Sequence, residues 1–101
     1  MVTLTPIQVE GKSFTAVVVK LPKTNFMAVT GDLGYVMCGA LDVALLNEKL
    51  AERRILAGRA VGVRTIDDLL NAPLESVTNA AIEKGAKVGM SVRQALLLMN
   101  A

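Results

Sequence analysis

The chain has 101 residues, of which 52% are hydrophobic and only three are aromatic, and its 11 Lys and Arg against 9 Asp and Glu leave a net charge of +2. So small and dispersed a charge, with few aromatic rings for base stacking, disfavours nucleic-acid binding. The length predicts a single domain over residues 1–101. An apolar share this high in so small a domain predicts a homo-oligomer, because part of the apolar surface is then buried between subunits.

The first third of the chain predicts a β-meander. Segments rich in β-branched residues alternate with turns that contain Gly, Pro and Asn, which is typical of strands joined by tight connections. The predicted strands are residues 2–9, 13–21, 26–30 and 35–38. Their short connections favour antiparallel pairing.

After Gly39 the apolar residues recur at helical spacing, from Leu41 to Leu50, and a helix beginning just after Gly39 is predicted. The remaining predicted elements are a strand at 58–63, a helix capped by Thr65, a helix from about Pro73 to Gly85, an edge strand at 86–88 and a last helix capped by Ser91. Strands followed by helices alternating with short strands predict an α+β fold, in which a two-layer domain has helices covering a mixed sheet.

The composition excludes most familiar catalytic chemistry. The chain contains no histidine, which removes Ser-His-Asp and Cys-His catalytic arrangements and imidazole metal sites. A single cysteine makes a four-ligand zinc site implausible, and the sequence contains neither a phosphate-binding loop nor a dinucleotide fingerprint. We therefore expect no metal and no cofactor.

The sequence also predicts a soluble cytoplasmic protein. Its first ten residues lack the basic region and apolar core of a signal peptide. The most apolar window, residues 33–46, is too short to span a bilayer and contains Asp42. One cysteine cannot form an internal disulfide, which agrees with a reducing compartment.

Cys38 is the main residue of the first candidate site. The predicted helix start would place its thiol beside free backbone amides and the positive end of the helix dipole, which favour a reactive thiolate. The amides of Gly39 and Ala40 could then bind an oxyanion. With histidine absent, Asp42 is the nearest candidate base. The alternative is structural, since free cysteine is usually a small buried hydrophobe and an acid in a first helical turn ordinarily complements the dipole.

Two further polar groups are candidate ligand contacts. Lys23, Thr24 and Asn25 interrupt apolar strands and could donate hydrogen bonds to an anion, or could form a solvated turn. Arg64 and Thr65 lie at a predicted strand-to-helix junction that could hold a carboxylate or phosphate. The alternative for the second group is a helix cap beside a surface arginine.

Three strings resemble a family of small bacterial proteins, the YunC-like family: LPKTNFMAV at 21–29, GYVMCGALDV at 34–43 and AGRAVGVRT at 57–65. The resemblance extends over nearly the whole chain. It implies a compact bacterial cytosolic domain with a self-standing fold. The family provides no agreed catalytic or binding residues to transfer to this chain.

Two hypotheses of function follow. The first is an oligomeric binding or accessory protein for a small anionic metabolite, favoured by the apolar excess and by polar loops near helix starts. The second is a thiol-dependent enzyme that uses Cys38 with the Gly39 and Ala40 amides, assisted by Asp42 or Lys23.

Overall fold

The computed structural model describes residues 1–39 and 42–101. These residues form six strands: β1 (Val2–Val9), β2 (Lys12–Leu21), β3 (Thr24–Thr30), β4 (Gly34–Met37), β5 (Leu56–Arg59) and β6 (Ser76–Val77). They also form four α-helices, α1 (Val43–Glu48), α2 (Ile66–Asn71), α3 (Asn79–Glu83) and α4 (Val92–Met99), with a 3₁₀ turn at Ala51–Arg53. The predicted α+β fold is confirmed.

The strands lie in one mixed sheet in the order β1-β2-β3-β4-β5-β6. The first four strands form the predicted antiparallel meander, in which a two-residue turn at Glu10 and Gly11 joins β1 to β2. Both turn residues have positive φ, as in the turns whose twist matches that of paired strands. β5 pairs parallel to β4, because α1 carries the chain back to the same end of the sheet, and β6 is antiparallel to β5.

The main core lies between one face of the sheet and the helices α2 and α4. Strand alternation directs Ala16, Val29 and Val36 toward this layer, where each is at most 3% exposed. α4 contributes Val92, Leu96 and Met99, which recur at helical spacing and are fully buried. α1 and α3 make their main contacts with β5, and Ala81 of α3 belongs to the same core cluster as α4.

β1 is one edge of the sheet. Lys20 donates its backbone N–H to the Met1 carbonyl (2.9 Å), so the odd-numbered residues of β1 bond to β2 and the even-numbered residues direct their backbone groups outward. Pro6 is even-numbered and has no N–H. The outer edge therefore lacks one hydrogen-bond donor near its middle.

The predicted elements between residues 58 and 88 are partly wrong. The strand in the first region is Leu56–Arg59 rather than 58–63, because apolar residues continue on both sides of Arg59 and do not mark where the strand begins or ends. No helix begins at Pro73, which forms a single bridge to Ser91. Leu74 and Val77 are buried at a spacing that resembles a helix, but Leu74 lies in irregular structure and Val77 lies in β6.

The helix in this region is α3, whose N-cap is Thr78, and it ends before Gly85 as predicted. Residues 86–88 form no strand: Ala86 is buried in the core, while Val88 lies in a turn and is 64% exposed. In the part of the chain that the structure describes, every helix is too short or too polar to cross a membrane.

Candidate functional site

A cleft opens at the end of the sheet where β3 begins and β4 ends. We call it the Cys38 cleft. It has a volume of about 420 Å³ and is lined by Leu21, Thr24, Asn25, Phe26, Cys38, Gly39, Gly62 and Val63.

Strand pairing explains why these separate segments meet. Because β3 and β4 are antiparallel, the start of one lies beside the end of the other, and the Cys38 N–H donates to the Met27 carbonyl (3.0 Å). On the other side of β4, the Ala60 N–H donates to the Met37 carbonyl (3.0 Å) and extends the parallel pairing past β5. The chain after β5 therefore reaches the same end of the sheet.

Cys38 forms part of the wall of the cleft, but most of its surface is covered. Its side chain is 9% exposed and belongs to the core cluster, and its Sγ accepts a hydrogen bond from the Met27 N–H (3.5 Å). The structure thus agrees with the alternative interpretation, in which Cys38 is a small buried hydrophobe.

The predicted helix start just after Gly39 is wrong, because α1 begins at Val43 with Asp42 as its N-cap. The Asp42 carboxylate accepts the Leu45 N–H (3.0 Å), which fixes the start of the helix at this point. The Cys38 thiol therefore does not lie in the turn that precedes the helix. Ala40, the other predicted amide donor, lies outside the described residues.

The two remaining predicted groups differ in position. Thr24 and Asn25 line the mouth of the Cys38 cleft, and Lys23 adjoins them in the β2–β3 turn with a φ of 65°. Thr65 caps α2, with its Oγ1 accepting the Asp68 N–H (3.0 Å). Arg64 follows the cleft residue Val63, but it lines a neighbouring groove.

A second, larger cleft of about 640 Å³ lies between α1, β5, β6 and residue 88. Arg59 is at its centre, where its Nε and Nη2 donate to the Gly39 carbonyl (3.2 and 3.1 Å) and its Nη1 pairs with Glu75. Asp42 lines this Arg59 cleft and not the Cys38 cleft, whereas Gly39 lines both. The structure therefore separates the predicted base from the thiol.

Sequence reasoning missed Arg59. Arg59 lies at the carboxyl end of β5, which pairs parallel to β4. Ligands commonly bind at the carboxyl ends of parallel strands in α/β sheets, so this position could have identified the residue. Identifying Arg59 in this way requires knowing that β4 and β5 are parallel, and the sequence alone does not show that.

The model of the family described as domain of unknown function DUF1805 matches residues 37–99. The chain belongs to this family.

This DUF1805 chain is similar to two other proteins. It is 77% identical over 99 residues to the uncharacterized protein YunC of Bacillus subtilis strain 168, with 98% of each chain covered. The predicted resemblance to the YunC-like family is thus confirmed. It is also similar to the crystal structure of TA1206, a protein of unknown function from Thermoplasma acidophilum, with a TM-score of 0.87 and 27% identity over 98% of this chain and 93% of the other.

The two clefts of this DUF1805 protein differ in charge. Every described residue that lines the Cys38 cleft is uncharged, and Lys23 and Arg64 adjoin lining residues in sequence. The Arg59 cleft carries the carboxylates of Asp42 and Glu75, and the groove beside Arg64 carries those of α2. Among the described residues, no cluster of three or more His, Cys, Asp or Glu side chains could hold a metal ion.

Proposed function

We propose that this DUF1805 protein binds a small anionic metabolite in the Cys38 cleft. One observation carries the proposal: the cleft joins Thr24 and Asn25 to Cys38 and Gly39 although they are distant in sequence, and among the residues that the structure describes no carboxylate lines it. An anion in either neighbouring cavity meets carboxylates, whose repulsion weakens binding.

The donors around the cleft suit a small oxyanion. The Thr24 hydroxyl and the Asn25 amide supply hydrogen bonds at the mouth, where both residues are exposed. Lys23 and Arg64 are next in sequence to lining residues and add positive charge near the cleft, which raises the rate of encounter with an anion. A volume of about 420 Å³ lies within the range of small-molecule sites.

A thermal-shift screen tests this proposal, with inorganic phosphate, citrate and glutamate as the first probes. A probe at a hundred times its Kd adds roughly 2.7 kcal/mol to the free energy of unfolding and raises Tm. The double variant Thr24→Ala, Asn25→Ala should lose the shift. The control Thr3→Ala, Gln8→Ala changes exposed β1 residues remote from the cleft and should retain it.

Two results would count against an anion site in this cleft. One is a full shift in the Thr24→Ala, Asn25→Ala variant. The other is an equal loss of the shift for Lys23→Gln and for Lys87→Gln, an exposed lysine outside the lining of the cleft.

Thiol-dependent catalysis is a second candidate, favoured by the place of Cys38 in the cleft wall. Asp42 lines the other cleft, which leaves Lys23 as the predicted assisting group nearer the mouth. Titration with a thiol reagent separates the two functions. Rapid reaction of the folded protein with an acid-shifted pH profile favours the enzyme, whereas reaction only in denaturant favours the binding protein.

For either function we place the protein in the bacterial cytoplasm, where a reducing environment keeps the single cysteine as a thiol.

A further inference from the structure

One face of the first four strands is apolar and lies away from α2 and α4. The register assigns fifteen side chains to this open face: Val2, Leu4, Pro6, Gln8, Ser13, Thr15, Val17, Val19, Leu21, Thr24, Phe26, Ala28, Thr30, Tyr35 and Met37. None of them is charged. In a sheet with one solvated face, the residues of each strand normally alternate between apolar side chains that face the core and polar side chains that face water. The composition of the open face is therefore unusual for a solvated surface.

None of the described helices makes its main contacts with the open face. α1 and α3 make their main contacts with β5, beyond the edge of the open face. Leu4 is 64% exposed, Val2 62% and Leu21 50%, while Val17, Val19, Tyr35 and Met37 are half-buried and Ala28 is buried.

We infer that the open face is the interface of a homodimer, in which two copies pack sheet against sheet around a two-fold axis. An uncharged face matches a second copy of itself, because the pair buries no charge and so avoids its desolvation cost. Flat sheet faces with alternating apolar side chains pack in this way in β-sandwiches. A two-fold axis makes the contact self-complementary and closed.

The area suits a weak contact between copies. The four strands have eight, ten, seven and four residues. At roughly 3.3 Å per residue and about 4.8 Å between strands they cover about 460 Å² in each copy. The pair then buries about 900 Å², at the low end of the range, where weak and transient interfaces are found. This size predicts a dimer at micromolar or higher concentrations rather than an obligate one.

The alternative contact between copies is edge pairing of β1 with β1. The missing N–H of Pro6 removes an outward donor from the middle of that edge, which weakens such pairing. The face-to-face arrangement needs no backbone donor and is unaffected by Pro6.

Sedimentation tests the inference with two adjacent residues as a matched pair. Leu4 and Thr5 are both exposed in β1, but Leu4 belongs to the open face and Thr5 to the opposite face. Leu4→Lys should weaken the dimer at least about tenfold in Kd, since each copy then places a charge in the apolar contact. Thr5→Lys should leave the Kd unchanged. Val2→Lys, also on the open face, should repeat the effect of Leu4→Lys.

The possible outcomes are distinct. A wild-type dimer that only the open-face variants dissociate supports the inference. A wild-type monomer at about 100 μM overturns it. Equal dissociation by Leu4→Lys and Thr5→Lys indicates edge pairing, and no dissociation by any variant indicates another surface; both results overturn it. Circular dichroism confirms that each variant is folded. Leu21, Thr24 and Phe26 belong both to the open face and to the lining of the Cys38 cleft, so dissociation of the dimer can also change an anion shift.

Discussion

Asn100 joins the end of α4 to the β3–β4 turn through a complete set of hydrogen bonds. Its Oδ1 accepts the backbone N–H groups of Leu33 (2.8 Å) and Gly34 (2.9 Å). Its Nδ2 donates to the carbonyls of Leu96 (2.8 Å) and Gly34 (3.2 Å). The side chain is only 5% exposed, so these bonds cannot be replaced by water without a rearrangement.

Asn100→Ala should therefore lower the free energy of unfolding by about 2–4 kcal/mol, because it leaves buried backbone groups without partners. Urea denaturation followed by circular dichroism measures the change. Asn71→Ala, at the exposed end of α2, should cost less than about 1 kcal/mol. Equal losses for the two variants would contradict the argument from burial.

Gly34 shows a second constraint of the same kind. A Cβ at this position would lie 2.9 Å from the Leu56 Cβ, the Leu56 carbonyl oxygen and the Met99 Cβ. Gly34→Ala should cost about 1–3 kcal/mol through overpacking. Gly39→Ala is the control, since its Cβ would approach no described atom closer than 3.5 Å. Thermal denaturation that ranks the two variants equally would oppose this explanation.

Sequence reasoning resolved only part of this residue-level chemistry. It offered burial as one interpretation of Cys38, from the apolar residues on either side, and the structure contains that arrangement. It did not find the contacts of Asn100, because the partners lie 66 and 67 positions away and nothing local indicates them. A sequence pattern reports only on features that nearby residues determine. It does not reveal hydrogen bonds to residues that are distant in sequence.

Among the elements, helix caps were the most predictable feature. Thr65 and Ser91 cap α2 and α4 as predicted, because a hydroxyl followed by apolar helical spacing is a local signal. Thr78 was missed. The apolar residues Leu74 and Val77 before it resemble a helix in spacing, which concealed the true start of α3.

Thr78 connects two elements and should matter more than the exposed caps. Its Oγ1 accepts N–H groups from Ala57 (3.2 Å) and Ala81 (3.3 Å) and donates to the Ile55 carbonyl (2.7 Å), at 2% exposure. Thr78→Val keeps the shape and removes these bonds, so we expect a loss of about 2–4 kcal/mol in chemical denaturation.

Ser91→Ala serves as the comparison, because it removes a more accessible cap and should cost about 1 kcal/mol. A Thr78→Val loss no larger than that of Ser91→Ala would mean that the link from α3 to β5 contributes little.

At the scale of the whole molecule, the meander and the α+β class followed from the sequence because strand alternation and helical spacing are periodic signals. The parallel pairing of β4 with β5, and with it the Arg59 cleft, did not follow. Pairing depends on how α1 carries the chain across the sheet, and a single sequence carries no direct signal for that path.

The proposed homodimer predicts that thermal stability depends on protein concentration. Because folding is then linked to association, Tm should rise as the wild-type concentration is increased from about 1 to 100 μM. Leu4→Lys should flatten this dependence, while Thr5→Lys should preserve it. Differential scanning calorimetry measures both, and a Tm that is independent of concentration for the wild type would exclude a dimer linked to folding in this range.

Pro6 has a further consequence for the behaviour of the folded protein in a crowded cell. A long, uncharged edge strand with an unbroken row of backbone groups is a template on which other chains can add without limit, as in amyloid. By removing one donor from that row, Pro6 weakens strand-by-strand growth at this edge. The protein thus combines an apolar sheet with an edge that is a poorer template for fibrils.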